Sequence, residues 1–511
     1  MKSKLLSIIV KVLCVFILVF IQTKIFELQY NGNVEFTKYF NLSLEILKAI
    51  LVLHIIYKLQ SPSYKMLWII LIMFLPIPAF VLYISFGSTK ISKSFQSKLD
   101  QERVNSRKYA QYDKKIFEEI KNIDQIKYNQ ANYLYNTNSL PAYKNSYIEY
   151  FNVGEKYFES AIDDISKAKK YIFIESFSIT EGIMWGRLFD ILKQKVSEGI
   201  RVYITVDGIN DFQKYPKNFE KNLNEAGIEY RMFNSSIVKI NSYLNYRNHR
   251  KLIVIDGSIT YTGGINIGDE YINIYKKFGH WKDAGIKIIG NAVLSHTIMF
   301  IEMWNLCSKD EKLDYQNFID IKDTYDKIGT GYIMPYCDGP DNSSDLAINL
   351  YVQIINTAKK YVYITTPYLI LDDRIISSLI NSAKSGIDIR IMTPYIPDKK
   401  FVNLTGKAFY QILLESGIKI YEYKPGFIHS KTFVTDDELA TVGSINLDFR
   451  GLNFHFECGN WIYKTGIEMT IKNDFIKIQE ESIEIKLDEW KNRSLPLRIM
   501  DKVLIAFSPL I

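Results

Sequence analysis

The chain has 511 residues, 47% of them hydrophobic and 14% aromatic, which excludes disorder as the default and leaves room for two or more domains of ordinary size. Its formal charge of +7 suits an acidic partner, and a phospholipid surface satisfies it as well as a nucleic acid does. The four cysteines, Cys14, Cys307, Cys337 and Cys458, are widely spaced without a Cys-x-x-Cys pair, so neither a zinc site nor a disulfide framework is expected.

Three apolar stretches open the chain. Leu5–Ile21 is interrupted only by Lys11, Leu42–Tyr57 carries Glu45, Lys48 and His54, and Met66–Phe86 holds no charge over 21 residues. The last is about the length that crosses a hydrocarbon core of roughly 30 Å, with Pro76 and Pro78 expected to kink it. The basic "MKSK" start is not followed by a small-x-small cleavage site, so a membrane anchor over residues 1–90, with two to three transmembrane helices, is expected rather than a cleaved signal. Lys90, Lys93, Lys98, Arg103, Arg107 and Lys108 then form a basic flank that favours the cytoplasmic side for the catalytic region downstream. Residues 91–140 read as a juxtamembrane connector.

Beyond the connector the sequence repeats itself. "AKKYIFIESFSI" (Ala168–Ile179) matches "AKKYVYITTPYLI" (Ala358–Ile370), and "SEGIRVYITVDGIND" (Ser197–Asp211) matches "KSGIDIRIMTPYIPD" (Lys384–Asp398). In each half a β-rich run, a helical stretch and a second β-rich run alternate, which predicts an α/β fold with a parallel-rich sheet flanked by helices. The repeat is too long for a solenoid unit, so it predicts a domain duplication, with lobes over residues 141–325 and 326–511 meeting across a pseudo-two-fold. The apolar C-terminal stretch "SLPLRIMDKVLIAFSPLI" reads as the last core helix of the second lobe, with an interfacial helix as the alternative.

Each half also carries one polar pattern. "HRKLIVIDGSITYTGGIN" begins at His249 and "HSKTFVTDDELATVGSIN" at His429, giving His249, Lys251 and Asp256 in one copy and His429, Lys431 and Asp436 in the other. On a strand His and Lys two residues apart project to one side. Brought around one cleft, two lysines suit the non-bridging oxygens of a phosphate. One imidazole can attack phosphorus while the other protonates the leaving alkoxide and deprotonates the incoming alcohol. Each Asp is expected to return from the strand end and hold its imidazole in one tautomer. Gly263, Gly264 and Gly443 would let a phosphate approach the backbone, with Asn266, Ser444 and Asn446 as further donors. No carboxylate cluster suggests a metal, so neither metal nor cofactor is expected. His54, His280 and His296 read as satisfied core residues.

"YRNHRKLIVIDGSITYTGGINIGDEYI" and "GFIHSKTFVTDDELATVGSINLDFR" resemble the paired HKD motifs of the phospholipase D superfamily, and in particular the bacterial cardiolipin synthases. "SYKMLWIILIMFLPIPAFVLYISFG", "HWKDAGIKIIGNAV", "CDGPD" and the terminal "FSPLI" extend the resemblance over essentially the whole chain. After the second motif the family commonly reads Arg-Ser and Asn-Phe-Glu, where this chain has Arg450-Gly451 and His455-Phe456-Glu457. The resemblance implies transmembrane helices followed by two phospholipase D-like α/β/α lobes sharing one active site in a bacterial plasma-membrane protein. It implies phosphatidyl transfer between two phosphatidylglycerols, with His249 as nucleophile, His429 as acid and base, an anionic phospholipid as partner and no nucleic acid. Hydrolysis, or transfer from another donor lipid, are the alternatives the motifs leave open.

Overall fold

The computed structural model describes residues 22–24, 34–58, 60–210, 215–234, 245–308, 311–319, 328–341 and 345–510. The first predicted span, Leu5–Ile21, and Cys14 lie outside them. The chain forms two compact units, one of the N-terminal helices as far as Thr89 and one of the chain from Lys90 on.

In the N-terminal unit, Val34–Tyr57 is one helix. Its segment Thr37–Tyr57 is the one helix among the described residues long and apolar enough to cross a bilayer. Leu42, Ile46, Ile50 and Leu53 stand exposed along it, about one turn apart. His54, expected in a core, is exposed on the same helix. The continuous span expected over Met66–Phe86 is instead two shorter helices, Pro62–Phe74 and Pro76–Phe86, broken at Leu75. Pro76 has no N–H to give and its ring would meet the carbonyl four residues back, so the helix ends and restarts with proline at its first position. Trp68 meets Tyr83 edge to face at 5.2 Å and ties the two halves together.

The second unit is built on two mixed sheets with one plan. The first runs β1 (Ser146–Phe151), β9 (Gly285–Gly290), β7 (Ile259–Gly263), β6 (Leu252–Ile255), β2 (Tyr171–Ser176), β3 (Arg201–Asp207), β4 (Glu229–Phe233). The second runs β10 (Tyr332–Asp338), β17 (His455–Tyr463), β16 (Leu439–Gly443), β15 (Thr432–Thr435), β11 (Tyr361–Thr365), β12 (Asp388–Pro394), β13 (Lys419–Tyr423), with β18 (Ser482–Glu484) added at the edge. The two paired sequence segments supply β2 with β3 and β11 with β12. Along these two strand orders only β2–β3–β4 and β11–β12–β13 are parallel, and every other neighbouring pair is antiparallel. The expected parallel-rich sheet is therefore half right. Tight turns such as Asp256-Gly257 join β6 to β7, and a strand that returns directly can pair only antiparallel.

The sheets pack on one another through a common apolar core. Phe173, Val254, Ile286 and Trp304 from the first lobe and Tyr363, Val434, Val442 and Ile462 from the second belong to one buried cluster. Burial of this kind, at about 25 cal/mol per Å², makes the lobe–lobe contact a structural core rather than a hinge.

Two regions depart from expectation. The connector is helical, as Lys93–Arg107, Lys114–Ile123 and Gln125–Asn138. Arg103 pairs with Asp341 at 2.6 Å and Arg107 with Glu302, so two charges of the basic flank are committed to internal ion pairs. The C-terminal stretch forms the helix Leu495–Phe507, but Leu495, Ile499 and Val503 are exposed while Asp501 is buried. It is not a core helix. Its Arg493–Asp501 pair turns the polar side inward, a bond that no hydropathy pattern announces.

Candidate active site

Two short cross-lobe ladders position the histidines. β5 (Arg247–Asn248) of the first lobe runs parallel to the start of β17, with Asn248 opposite Phe456, and the His249 N–H donates to the Phe456 carbonyl at 2.9 Å. In the mirrored arrangement β14 (Gly426–Ile428) runs parallel to β8 (His280–Lys282), with Ile428 opposite Lys282, and the His429 N–H donates to the Lys282 carbonyl at 2.7 Å. In both cases the next residue on the opposing lobe is an acid. His249 Nδ1 lies 2.8 Å from Glu457 Oε1, and His429 Nδ1 lies 2.7 Å from Asp283 Oδ2. Each imidazole is thus held at Nδ1 by a carboxylate of the other lobe, which leaves Nε2 for chemistry.

This corrects the role expected for Asp256 and Asp436. The Asp256 carboxylate accepts the backbone N–H groups of Lys169, Lys170 and Tyr171 at 2.8, 2.7 and 3.0 Å, and Asp436 accepts those of Lys359, Lys360 and Tyr361 at 2.8, 2.8 and 3.2 Å. Four residues of strand lie between each Asp and its lysine, five steps or about 16 Å, too far to return to the imidazole. Both acids instead tie a turn to the start of the neighbouring strand. Asp256→Ala is therefore expected to leave kcat nearly unchanged while lowering stability by about 2–4 kcal/mol, read as a fall in Tm; a large kcat loss at full stability would contradict it.

The signal for the true partners is present in the sequence. Asp283-Ala284-Gly285 and Glu457-Cys458-Gly459 are the same acid-small-glycine pattern at the same place in each half. The small residues follow from crowding. A Cβ on Gly264 would stand 2.2 Å from Asp283 Oδ1 and 3.1 Å from the His429 carbonyl. Gly264 makes room for the acid, not for a ligand. Ser444, at the matching position, donates to Glu457 Oε2 at 2.5 Å and accepts from the Cys458 N–H at 3.0 Å, so its hydroxyl orients Glu457. Asn266 gives its amide to the Tyr271 hydroxyl at 2.6 Å, and the Oδ1 atoms of Asn266 and Asn446 are buried without a hydrogen-bond partner.

Electrostatics separate the two pairs. Lys251 and Lys431 are buried, and burial pulls their ammonium groups down to about 8 and about 7. Burial, reinforced by Lys431, brings His429 to about 4; burial and Lys251 hold His249 well below its ordinary range. Burial would raise Asp283, but His429 and Lys431 overcome it and keep the carboxyl ionised, whereas burial drives Glu457 upward. His429 therefore has a carboxylate able to support an imidazolium, while the His249 pair favours neutrality. Phe177 walls His249 at 4.8 Å between ring centres, and Trp281, Tyr271 and Phe427 surround His429 at 5.3, 5.6 and 5.8 Å.

Comparison with known proteins matches the sequence to the family described as "Cardiolipin synthase, PLD-like domain" over residues 161–276 and 351–479, and to "Phospholipase_D-nuclease N-terminal" over 46–88. A cardiolipin synthase of Clostridium perfringens is 33% identical, covering 88% of this chain and 95% of its own. The chain belongs to the cardiolipin synthase family of the phospholipase D superfamily. An uncharacterized protein of Streptococcus mutans is 39% identical over 79% of this chain and 87% of its own. Among solved structures, a phosphatidylserine synthase of Haemophilus influenzae has the same fold, with a TM-score of 0.55 at 15% identity over 75% of this chain and 98% of its own.

Against the cardiolipin synthase pattern, His455 stands where Asn is common. Its ring lies 5.3 Å from that of His249, and its Nδ1, without a hydrogen-bond partner, is 3.6 Å from Glu457 Oε1. His249, His455 and Glu457 offer ligand atoms within 4.8 Å of one another, a set a zinc ion could use. The positive charges of Arg450, Lys251 and Arg247 around it oppose a cation, and Glu457 is already engaged by His249 and Ser444. Among the other histidines, His280 bonds the Tyr423 hydroxyl at 2.9 Å, while His296 is fully buried with neither ring nitrogen partnered, and burial keeps it neutral at about 3.

Proposed function

We propose that the protein transfers a phosphatidyl group from one phosphatidylglycerol to the terminal hydroxyl of a second, giving cardiolipin and glycerol. The reading is carried by one observation: two imidazoles, each bonded at Nδ1 to an acid of the opposite lobe, lie with two buried lysines close enough that the charge of one group bears on the others. His249 Nε2 attacks phosphorus, the bond to the glycerol headgroup breaks, and His429 gives that alkoxide its proton. The neutral His429 then takes the proton of the second lipid's hydroxyl, whose oxygen attacks phosphorus as the P–N bond to His249 breaks. Lys251 and Lys431 neutralise the non-bridging oxygens throughout. Burial disfavours charge on His429 and the two lysines, and the arriving phosphodiester anion restores their charged forms. The asymmetry between Asp283 and Glu457 supports His249 as nucleophile and His429 as acid. The aromatic walls favour a second lipid over water as acceptor by drying the cleft.

The N-terminal helices would hold the protein in the membrane where both substrates reside, with Lys90, Lys93, Lys98 and Lys108 favouring a cytoplasmic catalytic unit. Supplied with phosphatidylglycerol alone in liposomes, the protein is expected to yield cardiolipin and glycerol. Phosphatidic acid and glycerol instead would make it a hydrolase. The rate is expected to survive a chelator. A lysine binds an anion only while charged, so kcat/KM is expected to decline as pH rises through about 7 to 8; a profile still climbing at pH 9 would remove the lysines from phosphate binding.

A further inference from the structure

The C-terminal helix Leu495–Phe507 is built inside out for a water-facing surface. Leu495, Ile499, Val503 and Phe507, spaced four apart, are 66%, 54%, 50% and 38% exposed, whereas its one acid, Asp501, is buried against Arg493. A stripe at this spacing normally faces a core. The helix packs along Lys400–Ala408, which adds exposed Phe401 (58%) and Leu404 (43%). Neither helix exposes an acid, and Arg498, Lys502 and Lys400 stand exposed among the apolar groups.

This surface adjoins the catalytic cleft. Lys399, one residue before the second helix, lies over the Tyr368 ring at 5.1 Å; Tyr368 packs on Phe427 at 6.4 Å, and Phe427 on His429 at 5.8 Å. The Lys399 charge also bears on His455 and Asp448.

We propose that Leu495–Phe507 and Lys400–Ala408 together form an interfacial platform that seats the rim of the active site on an anionic phospholipid bilayer. An apolar stripe flanked by lysine and arginine, with no acid facing out, matches a bilayer interface in both hydrophobicity and charge. The platform acts separately from the N-terminal helices: those confine the protein to the membrane, and this surface sets the height and tilt at which headgroups meet the cleft. The inference rests on the bilayer-lipid substrate of the proposed function.

A nitroxide on Val503→Cys of the full-length chain, in vesicles of phosphatidylcholine and phosphatidylglycerol, tests the contact without requiring activity. The expected result is greater access to oxygen than to a water-soluble nickel chelate, the reverse of a label on Ile183→Cys, an exposed apolar site on the first lobe. Equal nickel access at both positions overturns the proposal, as does spin–spin broadening between copies without the oxygen contrast, which would make the stripe a self-association surface. In a second arm, Phe401→Ser with Leu495→Ser and Ile499→Ser is expected to lower kcat/KM on vesicles about 10-fold or more while leaving turnover of short-chain, monomeric phosphatidylglycerol unchanged. An equal fall on both substrates, or on neither, overturns it. If phosphatidylglycerol is not a substrate at all, the nitroxide contrast still decides the membrane contact.

Discussion

His249→Asn is expected to leave a folded protein that makes cardiolipin at least about 10⁴-fold more slowly, and His429→Asn to do the same by a different route. Without His249 no covalent intermediate forms. Without His429 the nucleophile remains but the leaving glycerol oxygen has no proton donor and the second hydroxyl no base. Lipid labelled in its phosphate should therefore leave acid-labile label on His249 when the wild-type protein is quenched during turnover, and none in the His249 variant. Label found on His429 instead would reverse the assignment. Activity kept in either variant would separate the two imidazoles into independent sites, and the double variant should be no slower than the slower single one, since the pair acts as a unit.

The next largest effect is expected at two residues outside the HKD motifs. Asp283→Asn and Glu457→Gln preserve size and hydrogen bonding, but each presents an amide to a histidine that needs a carboxylate. In either variant the imidazole loses the partner that fixes its tautomer, a change worth about 10³–10⁴ in kcat in other His–carboxylate pairs. The two should differ in character. Asp283 is held ionised by His429 and Lys431, so its loss removes support for an imidazolium and should move the pH dependence of glycerol release. Glu457 is driven upward by burial and bonded to Ser444, so Glu457→Gln should slow formation of the phosphohistidine. Single-turnover release of labelled glycerol and rapid-quench trapping separate the steps. Near wild-type kcat in both variants, with a normal circular dichroism spectrum, would remove the cross-lobe carboxylates from the mechanism.

The fold and site were most legible in the sequence where one residue pattern corresponds to one local structure. The duplicated runs at Ala168 and Ala358 become β2 and β11 because a continuous β-branched and aromatic run buried on both faces has few other homes. Proline at position 76 marks a kink in the sequence, and the structure goes further and divides the span into two helices. What failed was the inference from adjacency in sequence to adjacency in space. Asp256 and Asp436 are near their histidines along the chain, but a strand keeps its residues apart. Asp283 and Glu457 are distant along the chain, yet ladders between lobes deliver them. Arg103 and Arg107 looked like surface charge because Asp341 and Glu302, which bind them, lie far away in sequence. The C-terminal stripe leaves a core helix and an interfacial helix both open, because hydropathy reports which residues avoid water and not what covers them.

The reciprocal ladders have a mechanical consequence. A rigid-body displacement of one lobe against the other would stretch the His249–Glu457 and His429–Asp283 bonds together. The two imidazoles are thus ganged to a single alignment, so one displacement loosens both at once.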